Sequence, residues 1–147
     1  MLVFLDIDGV MVPAKSWDRP LLLDDGFPAF SHEAVKALQK LISDGATIML
    51  TTSHKSKFSI VEWKRIFENR GIHISSIDRL PENTKNLSRK AEILNWLSVN
   101  PSNESFLILD DDSSLNDLPG SIKEHFVQTS SYIGLTEDLI GRFVEEG

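Results

Sequence analysis

Three short stretches hold most of the side chains able to do chemistry. Asp6 and Asp8 bracket Ile7 directly behind the apolar run Leu2-Val3-Phe4-Leu5, Thr51-Thr52-Ser53-His54 follows residues 46–50, and Asp110-Asp111-Asp112 follows residues 105–109. Grouped carboxylates can hold a hard cation, pass a proton or attack an electrophile, and hydroxyls beside them can bind an anion. Buried strands ordinarily exclude charge, so acids set at the ends of apolar runs either work there or mark a turn into water.

The elements that must position these groups are legible in the same pattern. Apolar runs at 2–7, 46–52, 72–77, 105–109 and about 125–129 have strand length, and several are rich in β-branched or aromatic residues. Helical periodicity fills the gaps. Ser31 is placed to cap a helix with Val35, Leu38, Leu41 and Ile42 on one face, ended by Gly45. A second helix, about 59–70, carries Ile60, Trp63, Ile66 and Phe67. Ser88 opens a third with Ile93, Leu94, Trp96 and Leu97 inward, and Thr136 a last one with Leu139, Ile140, Phe143 and Val144. The alternation predicts an α/β fold: a three-layer α/β/α sandwich around a mainly parallel five-stranded, Rossmann-like sheet. In such a sheet every strand's carboxyl end points to one edge, where ligands bind, so the three stretches converge. Several carboxylates at one point repel one another and call for a cation. Oxygen donors without cysteine and with little histidine favour Mg²⁺. A calcium-loop reading fails, because 110–121 ends in Ser121 where that loop needs Glu.

Bulk properties bound the rest. With 147 residues, 41% of them hydrophobic, the chain is expected to form a single domain over 1–147. One long irregular segment, about 10–30, contains three prolines and reads as a flap loop. No apolar stretch approaches the roughly 18 residues of a membrane span, and the apolar start lacks a basic leader, which predicts a cytoplasmic protein without a membrane partner or an evident obligate protein partner. Zero cysteines exclude disulfides and a cysteine nucleophile. A net charge of −7 argues against nonspecific coating of nucleic acid. The charge is uneven, however: residues 54–90 hold nine Lys/Arg against four acids, and 101–147 hold two against ten. An anion would approach the middle segment, although most of those cations are expected to solvate helix faces.

Asp6-Ile7-Asp8-Gly9-Val10 resembles the first motif of the haloacid dehalogenase (HAD) superfamily, Leu50-Thr51-Thr52-Ser53 its second, and Leu107-Ile108-Leu109-Asp110-Asp111 its fourth. Arg89-Lys90-Ala91-Glu92-Ile93 before Trp96-Leu97, with a late Gly134-Leu135-Thr136, is similar to the small HAD domains associated with Swiss Army knife RNA repair proteins. In those domains the second motif commonly continues into Trp-Arg, where this chain has His54-Lys55. The resemblance implies a phosphatase. Asp6 would be the nucleophile, giving an aspartyl-phosphate, and Asp8 the acid and then base. Thr52 and Ser53 would bind the phosphoryl group, and Arg89 or Lys90 would supply the phosphate-site cation. Asp6, Asp8 through its backbone carbonyl, and Asp110 or Asp111 would bind Mg²⁺. Thr rather than Asp marks the ATPase branch at the position of Asp8, which favours a phosphohydrolase or phosphomutase.

Neither gap that could hold a cap domain is long enough for one, so the site is expected to be open and suited to a large substrate such as a nucleotide or polynucleotide end. Trp17 and Arg19 in the flap, with His54 and Lys55, are candidates to stack on a base or pair with a second phosphate. The competing readings are a catalytically idle HAD-like binding module and a phosphatase of phosphoproteins or small metabolites. A response-regulator receiver would need an aspartate ending a middle strand, where this chain has Thr-Thr-Ser-His.

Overall fold

The computed structural model of the chain describes residues 1–14, 21–102 and 104–144. Trp17 and Arg19 lie outside the described residues. Five strands, β1 (Leu2–Leu5), β2 (Thr47–Leu50), β3 (Ile77–Arg79), β4 (Phe106–Asp110) and β5 (Phe126–Gln128), form one sheet in the order β3-β2-β1-β4-β5. Every neighbouring pair is parallel. The helices are α1 (His32–Ser43), α2 (Ile60–Glu68), α3 (Arg89–Val99) and the single-turn α4 (Gly120–Lys123), with 3₁₀ segments at Ser113–Asp117 and Glu137–Phe143.

Both faces of this sheet are covered, which is why β1, β2 and β4 read as continuous apolar runs. Val3, Leu5, Ile48, Leu50, Leu107 and Leu109 point to one face. There they meet Ala34, Ala37, Leu38 and Leu41 of α1 and Trp63, Ile66 and Phe67 of α2. Phe4, Met49 and Ile108 point to the other face and meet Ile93 of α3 with Leu115 and Leu118. Each fully buried side chain of this size contributes about 1.5–3 kcal/mol, so strands of three to five residues are held by packing on two sides rather than by their own length. Local chemistry sets the helix starts. Ser31 and Ser88 accept from the backbone N–H of Ala34 and Ala91, and Ser59 forms a reciprocal capping box with Glu62.

Two elements differ from the sequence reading. The third strand is Ile77–Arg79 rather than 72–77; Ile72 and Ile74 alternate inward as a strand would, but pairing with β2 begins only at Ile77 opposite Ile48. The last helix is a 3₁₀ segment that buries only Ile140, and Thr136 makes no side-chain cap. Trp96, expected to face inward, does pack on the core, half-buried and edge-on to Phe4 with ring centroids 5.4 Å apart. In addition, the second half of the irregular segment is ordered: residues 21–29 form a tight hairpin, with Leu22 bridging Pro28 and Ala29 N–H donating to Leu21 O at 2.7 Å.

Candidate active site

Leu5 of β1 lies opposite both Leu50 of β2 and Leu109 of β4, so the residues that follow all leave the sheet at the same level. Asp6 N–H donates to Leu109 O at 3.1 Å and Thr51 N–H to Leu5 O at 2.9 Å, extending the ladder one step and setting Thr51 across from Asp6. After Asp6 the chain turns sharply. The N–H groups of Val10, Met11 and Val12 all converge on Ile7 O, and Gly9 N–H donates to Val12 O at 2.9 Å.

The turn brings acids together. One carboxylate oxygen from each of Asp6, Asp110 and Asp111 lies within 4.8 Å of the others. Asp6 and Asp110 are buried, and Asp111 is half-buried. Gly9 makes this approach possible: its φ is +79°, and a Cβ there would stand 2.0 Å from Asp111 Oδ2. Thr129, buried at the end of β5, locks the turn from beneath. Its hydroxyl donates to Gly9 O at 2.6 Å and its N–H to Asp110 O at 2.9 Å. The sequence reading missed Thr129, because its role depends on a partner 120 residues away.

Arg89, in the first turn of α3, places Nη1 2.5 Å from Asp110 Oδ2 and 3.5 Å from Asp6 Oδ1. Burial would weaken the guanidinium's hold on its proton, but the charges of Asp110 and Asp6 more than offset this and raise its pKa. Burial first, then the charges of Asp110 and Asp111, push Asp6 up to about 8 against the lowering effect of Arg89. Burial also raises Asp110, against the pull of Arg89. One guanidinium therefore does not balance three clustered acids. The donor set fits a divalent cation: it is all oxygen, and an ion holding oxygens at about 2–2.5 Å bridges atoms up to about 5 Å apart.

Around this centre the expected residues separate into two groups. Thr52 is buried, and its Oγ1 accepts from His54 N–H at 3.3 Å. Ser53 is exposed beside it, and no ion pair holds Lys90 among the described residues. Asp8 stands apart from the acid cluster, with its side chain 60% exposed and its Oδ2 2.9 Å from His54 Nε2. Lys55, expected to reach substrate, is buried. Its Nζ lies 2.9 Å from Glu92 Oε2, an ion pair without hydrogen-bond alignment, and its carbonyl accepts from Trp63 Nε1 and Arg79 Nη1. Thr51, read as core, has a buried hydroxyl with no hydrogen-bond partner. Much of the basic middle segment is used internally. Arg70 pairs with Asp25 at 2.6 Å, and Arg79 donates to the carbonyls of Lys55 and Phe58.

A parallel α/β sheet whose first strand runs into Asp-x-Asp-Gly, facing an acid pair at the end of β4, is the arrangement of the haloacid dehalogenase superfamily without a cap domain. Residues 2–140 match the family described as the HAD domain in Swiss Army Knife RNA repair proteins, and the chain belongs to that family, which makes it a HAD-family hydrolase domain. No curated protein matches the chain. A solved chain described as a HAD superfamily (subfamily III A) hydrolase from Legionella pneumophila is 15% identical, with 95% of this chain and 79% of that chain covered at a TM-score of 0.47. HAD proteins generally use Mg²⁺, and the Asp6-Asp110-Asp111 cluster offers the donors such an ion requires. Among the described residues, no helix is long and apolar enough to cross a membrane.

Proposed function

We propose that the chain is a Mg²⁺-dependent phosphomonoesterase acting through an aspartyl-phosphate on Asp6, with phosphate on a nucleotide or polynucleotide end as its substrate. The observation that carries the reading is the meeting of Asp6, Asp110 and Asp111 with Arg89 at one sheet edge. Mg²⁺, held by Asp6, Asp110 or Asp111 and the backbone carbonyl of Asp8, would supply the charge that lets an anionic phosphate approach an anionic carboxylate.

The chain's own groups do the remainder. Asp6 attacks phosphorus, and Asp8 protonates the departing ester oxygen, then takes a proton from the water that hydrolyses the phosphoenzyme. Thr52 spends its lone pair on His54 N–H and keeps its own proton for a phosphoryl oxygen. Thr51, with its unpartnered hydroxyl across the ladder from Asp6, is a second donor. Arg89, which already pairs with Asp110 and Asp6, is the cation of the site. The description of the family by RNA repair supports a nucleic-acid-related phosphate, and an uncapped site suits a chain end. The proposed working form is a single domain over residues 1–147, in the reducing cytoplasm that a cysteine-free chain tolerates.

The test is a panel of mononucleotides, 3′- and 5′-phosphorylated oligonucleotides, sugar phosphates and phosphopeptides, assayed with Mg²⁺ and with chelator. Asp6→Asn serves as the control, and acid-stable protein-bound ³²P as the trap. Mg²⁺-dependent release of phosphate from nucleotides or chain ends, lost in Asp6→Asn, is the expected result. Release that survives that substitution rejects the nucleophile.

A further inference from the structure

Asp8 is the acid least constrained by its surroundings, yet the reaction proposed for it is the most demanding of position. Its side chain is more than half exposed, and among the described residues His54 is the side chain that holds it, Nε2 to Oδ2 at 2.9 Å. His54 itself is well braced. Its backbone N–H donates to Thr52 Oγ1, its carbonyl accepts from Lys57 N–H at 2.9 Å, and its ring stands edge-on to the buried Phe27 with centroids 6.4 Å apart. Phe27 in turn packs edge-on against Phe58 and Trp63. A continuous line of packed rings therefore runs from the core face of α2 to the one carboxylate of the site that projects into solvent.

We propose that His54 is a positioning residue for Asp8. Its Nε2–H donates to Oδ2, which fixes the carboxyl rotamer and reserves Oδ1 as the oxygen that carries the mobile proton. The proposal rests on the phosphatase reading. As Asp6 forms its bond to phosphorus, the ester P–O bond breaks and its electron pair stays on the ester oxygen, which takes the proton from Asp8 Oδ1. Water then attacks the phosphoenzyme, gives a proton back to Oδ1 and releases phosphate. The His54 N–H bond stays intact throughout. A displacement of about 1 Å in such a group costs roughly a hundredfold in rate, whereas an exposed pair of this kind contributes little to folding. This role is an alternative to the substrate contact expected of His54 from its place beyond the second motif, since its Nε2 already lies against Asp8 Oδ2.

The experiment compares two phosphomonoesters of similar size, benzyl phosphate and 4-nitrophenyl phosphate, on the full chain with Mg²⁺. The alkoxide of benzyl alcohol needs a proton to leave, and nitrophenolate does not. His54→Phe, which keeps a ring against Phe27, and His54→Ala should each lose about tenfold or more in kcat/KM on benzyl phosphate and less than about threefold on 4-nitrophenyl phosphate. His54→Gln, which retains an N–H donor, should restore most of the loss. Melting temperatures should match the wild type, and His54→Phe should add nothing once Asp8 is replaced by Asn. Equal losses on the two esters, or none on benzyl phosphate, overturn the proposal and leave the phosphatase reading standing. A wild type that hydrolyses neither ester nor any member of the nucleotide panel overturns that reading, and this proposal with it.

Discussion

Gly9 and Asp111 compete for one volume, and the site exists because Gly9 yields it. A methyl group at position 9 would meet the Asp111 carboxylate at 2.0 Å, and the backbone there has φ +79°, where a side chain costs about 1–2 kcal/mol by itself. Gly9→Ala should therefore lower stability by about 1–3 kcal/mol and push Asp111 off the cluster. The readout is thermal melting with and without Mg²⁺. A ligand at ten times its Kd stabilises the folded state by about 1.4 kcal/mol, and this gain should appear in the wild type and vanish in Gly9→Ala and in Asp110→Asn. A Mg²⁺-induced shift of unchanged size in both variants would mean that the ion sits elsewhere. Thr129→Val makes the companion case. It removes the hydroxyl from Gly9 O inside a buried contact and leaves that carbonyl unpaired, at about 1–3 kcal/mol, although the residue touches neither cation nor substrate.

At the level of elements, the hairpin of residues 21–29 is clasped to the end of α2 chiefly by Arg70, with Asn69 as a second donor to Asp25. Arg70, with 2% of its side chain exposed, donates to Asp25 Oδ2 at 2.6 Å and to the carbonyls of Ile66, Phe27 and Pro28 at 2.7, 2.8 and 2.8 Å, and it lies 4.9 Å over the Phe30 ring. Removing one partner of such a pair strands the other, so Arg70→Met should cost about 3–5 kcal/mol in urea unfolding. Arg70 and Asn69 hold the Asp25 carboxyl well below the usual carboxylate range, Arg70 contributing most. A depressed native pKa adds stability that is complete above the unfolded-state value near 3.9 and is lost as pH falls below it. The wild type should accordingly weaken between about pH 4 and 2 more steeply than Asp25→Asn, and parallel curves would remove Asp25 from the account. This clasp also marks where reading a sequence stops. Strands β1, β2 and β4 and three helix starts were legible because their signals are local: unbroken apolar runs and Ser caps. Arg70, four residues past Ile66 and just before Gly71, looked like a solvated helix end, because nothing near it announces Asp25, 45 residues away. β3 was placed early for a related reason. The residues that pair, Ile77-Asp78-Arg79, include two charges at the sheet edge, and the more strand-like Ile72 and Ile74 pack inward without a partner strand. In the site, the acids could be read from strand ends, whereas the pairing of His54 with Asp8 and the burial of Lys55 against Glu92 depend on how the turn after β2 folds back.

On the scale of the whole molecule, electrostatics and openness pull the substrate question in one direction. The chain carries −7, and several of the cations clustered between residues 54 and 90 are committed internally: Lys55 to Glu92, Arg70 to Asp25, Arg79 to two carbonyls, and Arg89 to the acid centre. What remains of that cluster for a long polyanion is Lys57, Lys64, Arg65, Lys85 and Lys90, against a surface of net negative charge. Under the proposed phosphatase reading, this distribution of charge favours contact with a terminal phosphate over contact with the strand behind it. Salt dependence distinguishes the two, because each phosphate neutralised on a single strand adds about −0.7 to the slope of log affinity against log salt. With a phosphorylated oligonucleotide as substrate, kcat/KM should fall between low and physiological salt with a slope no steeper than about −1.5, the signature of one or two contacts. A slope of about −4 or beyond would reveal a continuous basic track along the strand, and with it a mode of binding that this distribution of charge does not provide.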